Sequence, residues 1–157
     1  MTLYHGSTID IAKVDLALSK PNKDFGRAFY LSDDRQQALE MAQFRAEFEE
    51  TEPVVNVYEF DEALFQEFRY KRFEAYTEEW AHFVYDHRTE PHGRTLHDYD
   101  IVYGPIANDR VGAQIARYKQ GYITFDEFLR RIQYIKGITF QYAFCTQRAI
   151  DKLQKIK

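Results

Sequence analysis

Segments with strand character and segments with helix character succeed one another in this chain without a regular strand–helix–strand alternation. That order argues against a doubly wound sheet and for an α+β fold. Residues 2–5 read as a short strand, and Asn22-Lys23-Asp24 is turn chemistry. Residues 25–31 then pass from loop into strand. Asp33 with Gln36 predicts a helix start, with Ala38, Met41, Ala42 and Ala46 at helical spacing and an end near Thr51, ahead of Pro53. Val54-Val55-Asn56-Val57-Tyr58-Glu59-Phe60 is the clearest strand, β-branched and aromatic between breakers. Residues 61–65 read as one helical turn, 68–73 as a half-exposed strand, 77–88 as a helix ended by Pro91 and Gly93, 99–103 as a strand, and 108–119 as a helix stopping at Gly121. Thr124 and Glu127 form a capping box ahead of Phe125, Phe128, Leu129, Ile132 and Ile135, with Gly137 ending that helix. Residues 138–145 read as the final strand, and Thr146 caps a last helix through Ile156.

The chain has 157 residues, enough for one domain (residues 1–157) with a proper core. Aromatics make up 17%, so much of that core should be Phe and Tyr. The net charge of -4 argues against general electrostatic binding to nucleic acid or anionic membranes. The single cysteine, Cys145, excludes an internal disulfide and a Cys-based zinc cluster. No apolar stretch approaches a membrane span and no signal-peptide h-region opens the sequence, so a cytoplasmic protein is expected. No GxGxxG, P-loop or GxSxG motif is present, which leaves the common nucleotide folds and serine hydrolases without support.

His82, His87, His92 and His97 fall every five residues. Five residues turn a helix by about 500°, so neighbours sit ~140° apart and share no face. The expectation is a polar helix and loop, with no metal. Cys145 sits between Phe144 and Thr146 at a strand end, the setting of a structural thiol rather than a nucleophile. Glu47, Glu49, Glu50 and Glu52 read as a solvated helix end. The run Arg69-Tyr70-Lys71-Arg72-Phe73 could stack on and neutralise a nucleic acid, but such a run is more often an exposed edge strand kept soluble by charge.

Two segments are more telling. Tyr4-His5-Gly6-Ser7 offers an imidazole and a pair of backbone amides together, with glycine permitting close approach. Asp24-Phe25-Gly26-Arg27-Ala28-Phe29-Tyr30-Leu31-Ser32 combines an open backbone, a cation in Arg27 and an aromatic, Tyr30, able to lie against a flat ring.

Together these segments resemble the ADP-ribosyltransferase superfamily, in the histidine–tyrosine–glutamate branch that includes the poly(ADP-ribose) polymerases. Residues 3–8 resemble the first motif of that branch and residues 25–33 the second. Phe140-Gln141-Tyr142-Ala143-Phe144-Cys145-Thr146 resembles the third, with Gln141 in the glutamate's place. The whole chain is also similar to a family of small uncharacterised bacterial proteins within the superfamily. These share the stretch from Asp98 to Val111 and the Gln-Tyr-Ala-Phe-Cys-Thr ending.

The resemblance implies a split β-sheet core with an NAD cleft and several flanking helices, acting as a mono-ADP-ribosyltransferase with NAD as substrate. It implies catalytic roles for His5, Tyr30 and Gln141, and NAD contacts from His5, Gly6, Ser7, Phe25, Gly26, Arg27 and Tyr30. His5 would bond a ribose hydroxyl, the Gly6 backbone would hold the nicotinamide amide, and Tyr30 would stack on the ring. Bond breaking passes through an oxocarbenium-like state, as in sugar hydrolysis. Gln141 can accept a hydrogen bond from the ribose but carries no charge. Three explanations stay open: an acceptor needing no deprotonation, a carboxylate supplied by Asp98, Asp100 or Asp109, or a silent module that binds NAD or ADP-ribose without turnover. A compact transferase of this kind would suit a toxin or defence effector with a small antitoxin as partner, acting on a protein, nucleic-acid or small-molecule acceptor.

Overall fold

A computed structural model of the chain describes residues 1–108, 110–133 and 137–157. These residues form two sheets. The strands are β1 (Thr2–Ser7), β2 (Phe29–Leu31), β3 (Val54–Glu59), β4 (Tyr70–Arg72), β5 (Ile101–Pro105), β6 (Phe140–Phe144) and β7 (Gln154–Lys155). The α-helices are α1 (Arg35–Glu49), α2 (Glu78–Thr89), α3 (Val111–Lys119), α4 (Phe125–Arg131) and α5 (Gln147–Ile150), with 3₁₀ turns at Leu16–Leu18 and Glu62–Glu67. One sheet has the order β1-β3-β7 and the other β2-β6-β5-β4, with every pairing antiparallel except β4 with β5. A mixed α/β architecture with two sheets and flanking helices is therefore present.

Strand periodicity assigns the two faces of the four-stranded sheet. Phe29, Leu31, Ile101, Tyr142 and Phe144 point toward the three-stranded sheet and meet Leu3, Tyr58 and Phe60 in one core. Val102 and Ala143 point the other way and pack with Phe25, Trp80, Val84, Val111, Phe128 and Ile132 in a second core. The outer face of the three-stranded sheet takes α1, whose buried stripe is Ala38, Ala42 and Ala46. Small residues there bring the helix close to the strand: a Cβ at Gly6 would fall 2.1 Å from the Ala38 carbonyl oxygen.

The helix starts follow their caps. Asp34, Thr77, Thr124 and Thr146 each accept a hydrogen bond from the first turn of α1, α2, α4 and α5. α1 is capped by Asp34, one residue after the expected Asp33, because it is the Asp34 side chain that accepts from Gln36 N. Other expectations also need correction. β6 is not the final strand and no helix runs through Ile156. Instead α5 is one turn, and the chain then pairs with β3, Tyr58 opposite Lys155 and Glu59 opposite Gln154. Edge pairing satisfies the Val57 backbone, which bonds Ile156 and Lys157, and outweighs continued helix. β5 begins at Ile101 rather than Tyr99, whose backbone N–H turns to the His97 ring instead of a neighbouring strand. α4 closes at Ile132, and the expected continuation through Ile135 lies outside the described residues.

Candidate functional site

The two sheets meet at one corner. Tyr4 and Ser32 exchange both backbone hydrogen bonds, Tyr4 N–H to Ser32 O at 2.8 Å and Ser32 N–H to Tyr4 O at 2.9 Å. Continued for two residues, that register would set Gly6 opposite Tyr30. It does not continue: the Tyr30 carbonyl instead accepts from the His5 ring, Nδ1 lying 2.7 Å away. β1 and β2 diverge at this point, with the half-buried imidazole wedged across the opening and packed on Phe29 at 4.3 Å between ring centroids. Alternation along the β1–β3 ladder turns the Gly6 N–H and C=O to the same side as those of Tyr4, toward the split.

A carbonyl can only accept, so Nδ1 of His5 carries the proton and Nε2 presents a lone pair. Burial pushes the His5 pKa down to about 4, with the Tyr30 bond opposing it and the Arg45 and Lys155 charges adding to it. The ring is a neutral acceptor near pH 7.

Tyr30 and Gln141 lie on the opposite face of the four-stranded sheet from Phe29, since Tyr30 pairs with Ala143 and Gln141 follows the same alternation. The Tyr30 hydroxyl donates to Gly26 O at 2.8 Å and accepts from Phe25 N at 2.9 Å. Burial raises its pKa well above the ordinary value, and the charge of Asp24 adds to that. Gln141 donates from Nε2 to Asp24 Oδ2 at 3.3 Å. The segment from Asp24 to Gly26 thus ties the three expected residues together: Gln141 through Asp24, Tyr30 through Phe25 and Gly26, and His5 through Tyr30.

This segment is fastened to the end of α2. Arg88 places Nε at 2.8 Å and Nη2 at 2.6 Å on Asp24 Oδ1. Asn22 donates to the carbonyls of His87 and Glu90, both at 2.9 Å. His97 Nε2 donates to Phe25 O at 2.9 Å, while its Nδ1 accepts from Tyr99 N at 3.0 Å. Gly26 takes φ +89°, and a Cβ there would meet the His87 ring at 3.0 Å.

The other expected contacts are differently placed. Phe25 is fully buried and packs on Phe73 and Phe83, so its ring belongs to the core. Arg27 bonds the Ser19 and Ala17 carbonyls, bracing the turn at residues 16–19. Ser7 is buried, its hydroxyl 3.4 Å from Ile9 N. Of the carboxylates expected beside Gln141, Asp98 is exposed and paired with Arg69, and Asp100 is committed to Arg69 N, Thr146 and Arg148. Asp109 lies outside the described residues. The carboxylate that does reach Gln141 is Asp24, 117 positions away. Its acidic side chain at the head of the Asp-Phe-Gly segment was the one available signal.

His82 stacks on Phe125 at 3.9 Å, and His87 accepts from Leu96 N through Nε2 at 3.0 Å. Among the described residues no cluster of His, Cys, Asp and Glu has the arrangement of a metal site. Burial and the Asp100 charge push the Cys145 thiol up to about 12, which makes it a poor nucleophile. Arg69, Lys71 and Arg72 each hold a carboxylate, Asp98 at 2.5 Å, Glu79 at 2.6 Å and Glu74 at 2.7 Å, and Arg72 also lies over Tyr103. Cavities of about 130 and 680 Å³ sit beside β7 and against residues 59–64, away from His5, Tyr30 and Gln141. No helix among the described residues is long and apolar enough to cross a membrane.

A family described as "Protein of unknown function (DUF3990)" matches residues 1–155, and the chain belongs to it. No curated protein and no solved structure matches the chain.

Proposed function

We propose that the chain is an NAD-dependent mono-ADP-ribosyltransferase with its nicotinamide subsite in the split between β1 and β2. One observation carries the reading. Gly6 faces the split with its N–H and C=O just where pairing with Tyr30 stops. A primary carboxamide has a C=O acceptor and an NH₂ with two N–H donors, so its C=O and one N–H can complete the interrupted ladder while the other N–H stays free to bond elsewhere. The neutral His5 Nε2 suits a hydroxyl donor next to that amide. Gln141, on the Tyr30 face, suits a second sugar hydroxyl through its carbonyl.

In this reading NAD is substrate, and its glycosidic carbon becomes positive as nicotinamide departs. The chain's own part is to hold the amide at Gly6, fix the sugar through His5 and Gln141, and keep the Tyr30 region rigid through the 24–26 segment. Single transfer rather than polymer growth fits an uncharged residue at 141. A silent NAD- or ADP-ribose-binding module is the second reading, favoured by that same absence of charge on Gln141. The ion-paired state of Arg69, Lys71 and Arg72 speaks against nucleic acid as the main ligand.

Incubation with NAD labelled in both halves separates the readings. The transferase releases nicotinamide and labels an acceptor in a cell extract. Saturable NAD binding without nicotinamide release favours the silent module. Absence of both binding and release contradicts the proposal.

A further inference from the structure

Asp24 is nearly fully buried, its side chain 7% exposed, and a buried carboxylate is costly unless each oxygen is satisfied. Its oxygens have different partners. Arg88 occupies Oδ1 with two N–H groups, whereas Oδ2 faces the Gln141 Nε2 at 3.3 Å and the Ala107 amide at 3.4 Å. Fastening the loop does not require that arrangement, because Asn22 already ties the segment to the end of α2. An ionised carboxylate only accepts, so it fixes which end of the Gln141 amide faces it. The NH₂ turns to Asp24 and the carbonyl turns away.

We propose that Asp24 is the positioning residue for Gln141: it holds the amide by its NH₂ end and presents the carbonyl oxygen to a ligand sugar hydroxyl. The role rests on the transferase reading above. Hydrogen bonding to an anion polarises the amide and makes its oxygen a better acceptor facing developing positive charge. The negative charge thus stands one group behind the contact instead of on it. It also accounts for glutamine at 141. A glutamate there would set two carboxylates within hydrogen-bond distance, and one would be held protonated.

The test exchanges the pair. In Asp24→Asn the bond can fail, because the new amide must serve Arg88 and Gln141 at once. In the double variant Asp24→Asn/Gln141→Glu, the amide introduced at position 24 can accept from Arg88 through its oxygen. Its NH₂ can then donate to the carboxylate introduced at position 141. Nicotinamide release should fall about tenfold to a hundredfold in kcat for Asp24→Asn, the range for residues that orient a contacting group, with KM for NAD within about threefold. Gln141→Glu alone should gain a pH dependence that the wild type lacks. The exchange should recover kcat to within about tenfold of wild type and lose that pH dependence.

A folded Asp24→Asn protein with wild-type kcat overturns the proposal, as does a folded exchange variant no better than either single variant. The side-chain ¹H–¹⁵N resonance of Gln141 reads the contact without NAD: it should move to the position of a free glutamine amide in Asp24→Asn. An unmoved resonance overturns the positioning role alone. A wild-type chain that neither binds nor cleaves NAD overturns the transferase reading and this role with it.

Discussion

In the proposed subsite, Gly6 and His5 divide one job between two neighbouring residues. Gly6 is glycine for a reason the sequence did not reveal: its missing side chain makes room for α1, not for a ligand. What it offers a ligand in the proposed subsite is the backbone on the split side. Gly6→Ala should destabilise the fold by about 3 kcal/mol or more, because a backbone carbonyl at 2.1 Å cannot move aside cheaply. Urea unfolding checks this, and a wild-type midpoint contradicts it. His5→Ala removes the acceptor at the mouth of the split and should weaken NAD binding by about tenfold, as loss of one good hydrogen bond does. The binding constant of the wild type should stay flat from pH 6 to 8, since His5 titrates at about 4. Calorimetric titrations at both ends of that range read the slope. His5, Tyr30 and Gln141 were visible in the sequence as motif residues. Asp24 was not, because a turn residue and a strand residue 117 positions apart meet only once the sheet has formed.

At the scale of elements, β3 organises the smaller sheet, with β1 on one side and β7 on the other. Its inward-facing Asn56 is fully buried and accepts from Ile11 N at 2.7 Å and Lys155 Nζ at 2.5 Å, while donating to Ile9 O at 3.0 Å. Asn56→Ala should cost about 2–3 kcal/mol, since it leaves a backbone donor and acceptor without partners. Thermal denaturation would show the loss, and an unshifted transition would argue that residues 9–11 are held by other means. The sequence announced β3 through its β-branched run and the starts of α4 and α5 through their caps, Thr124 and Thr146, while it set the α1 cap one residue early, at Asp33 instead of Asp34. It was silent on β7. Two residues with no periodicity become strand only because β3 has an open edge to satisfy. The division into two sheets was equally hidden, since strand pairing is decided by partners distant in sequence.

The whole molecule layers α1, the three-stranded sheet, the four-stranded sheet and the helices α2 to α4, with α5 packed into the core between the sheets, and the candidate site opens where the two sheets part. This arrangement also buries several imidazoles. His5, His87 and His97 all have pKa values lowered from 6.5, first by desolvation. Each is held neutral when folded, so the unfolded chain binds more protons below that value. Their contribution to stability is full above pH 6.5 and is lost as pH falls toward about 4, the value for His5. The urea midpoint should therefore drop between pH 7 and pH 5, a window above the ordinary carboxylate range. A level midpoint across that interval would contradict neutral burial of these rings. The exposed stripe of Met41, Phe44 and Phe48 on α1 plays no part in this, and polar residues at Phe44 and Phe48 should leave stability within about 0.5 kcal/mol.

The central claim is that the parting of β1 and β2 receives the nicotinamide end of NAD. A ¹H–¹⁵N titration of the full chain with NAD tests it most directly. The account predicts saturable shifts centred on the backbone amides of Gly6 and Tyr30, with the side chains of His5 and Gln141 moving in step, and a reduced response in His5→Ala. Shifts confined to the cavities beside β7, or none at millimolar NAD, would contradict it.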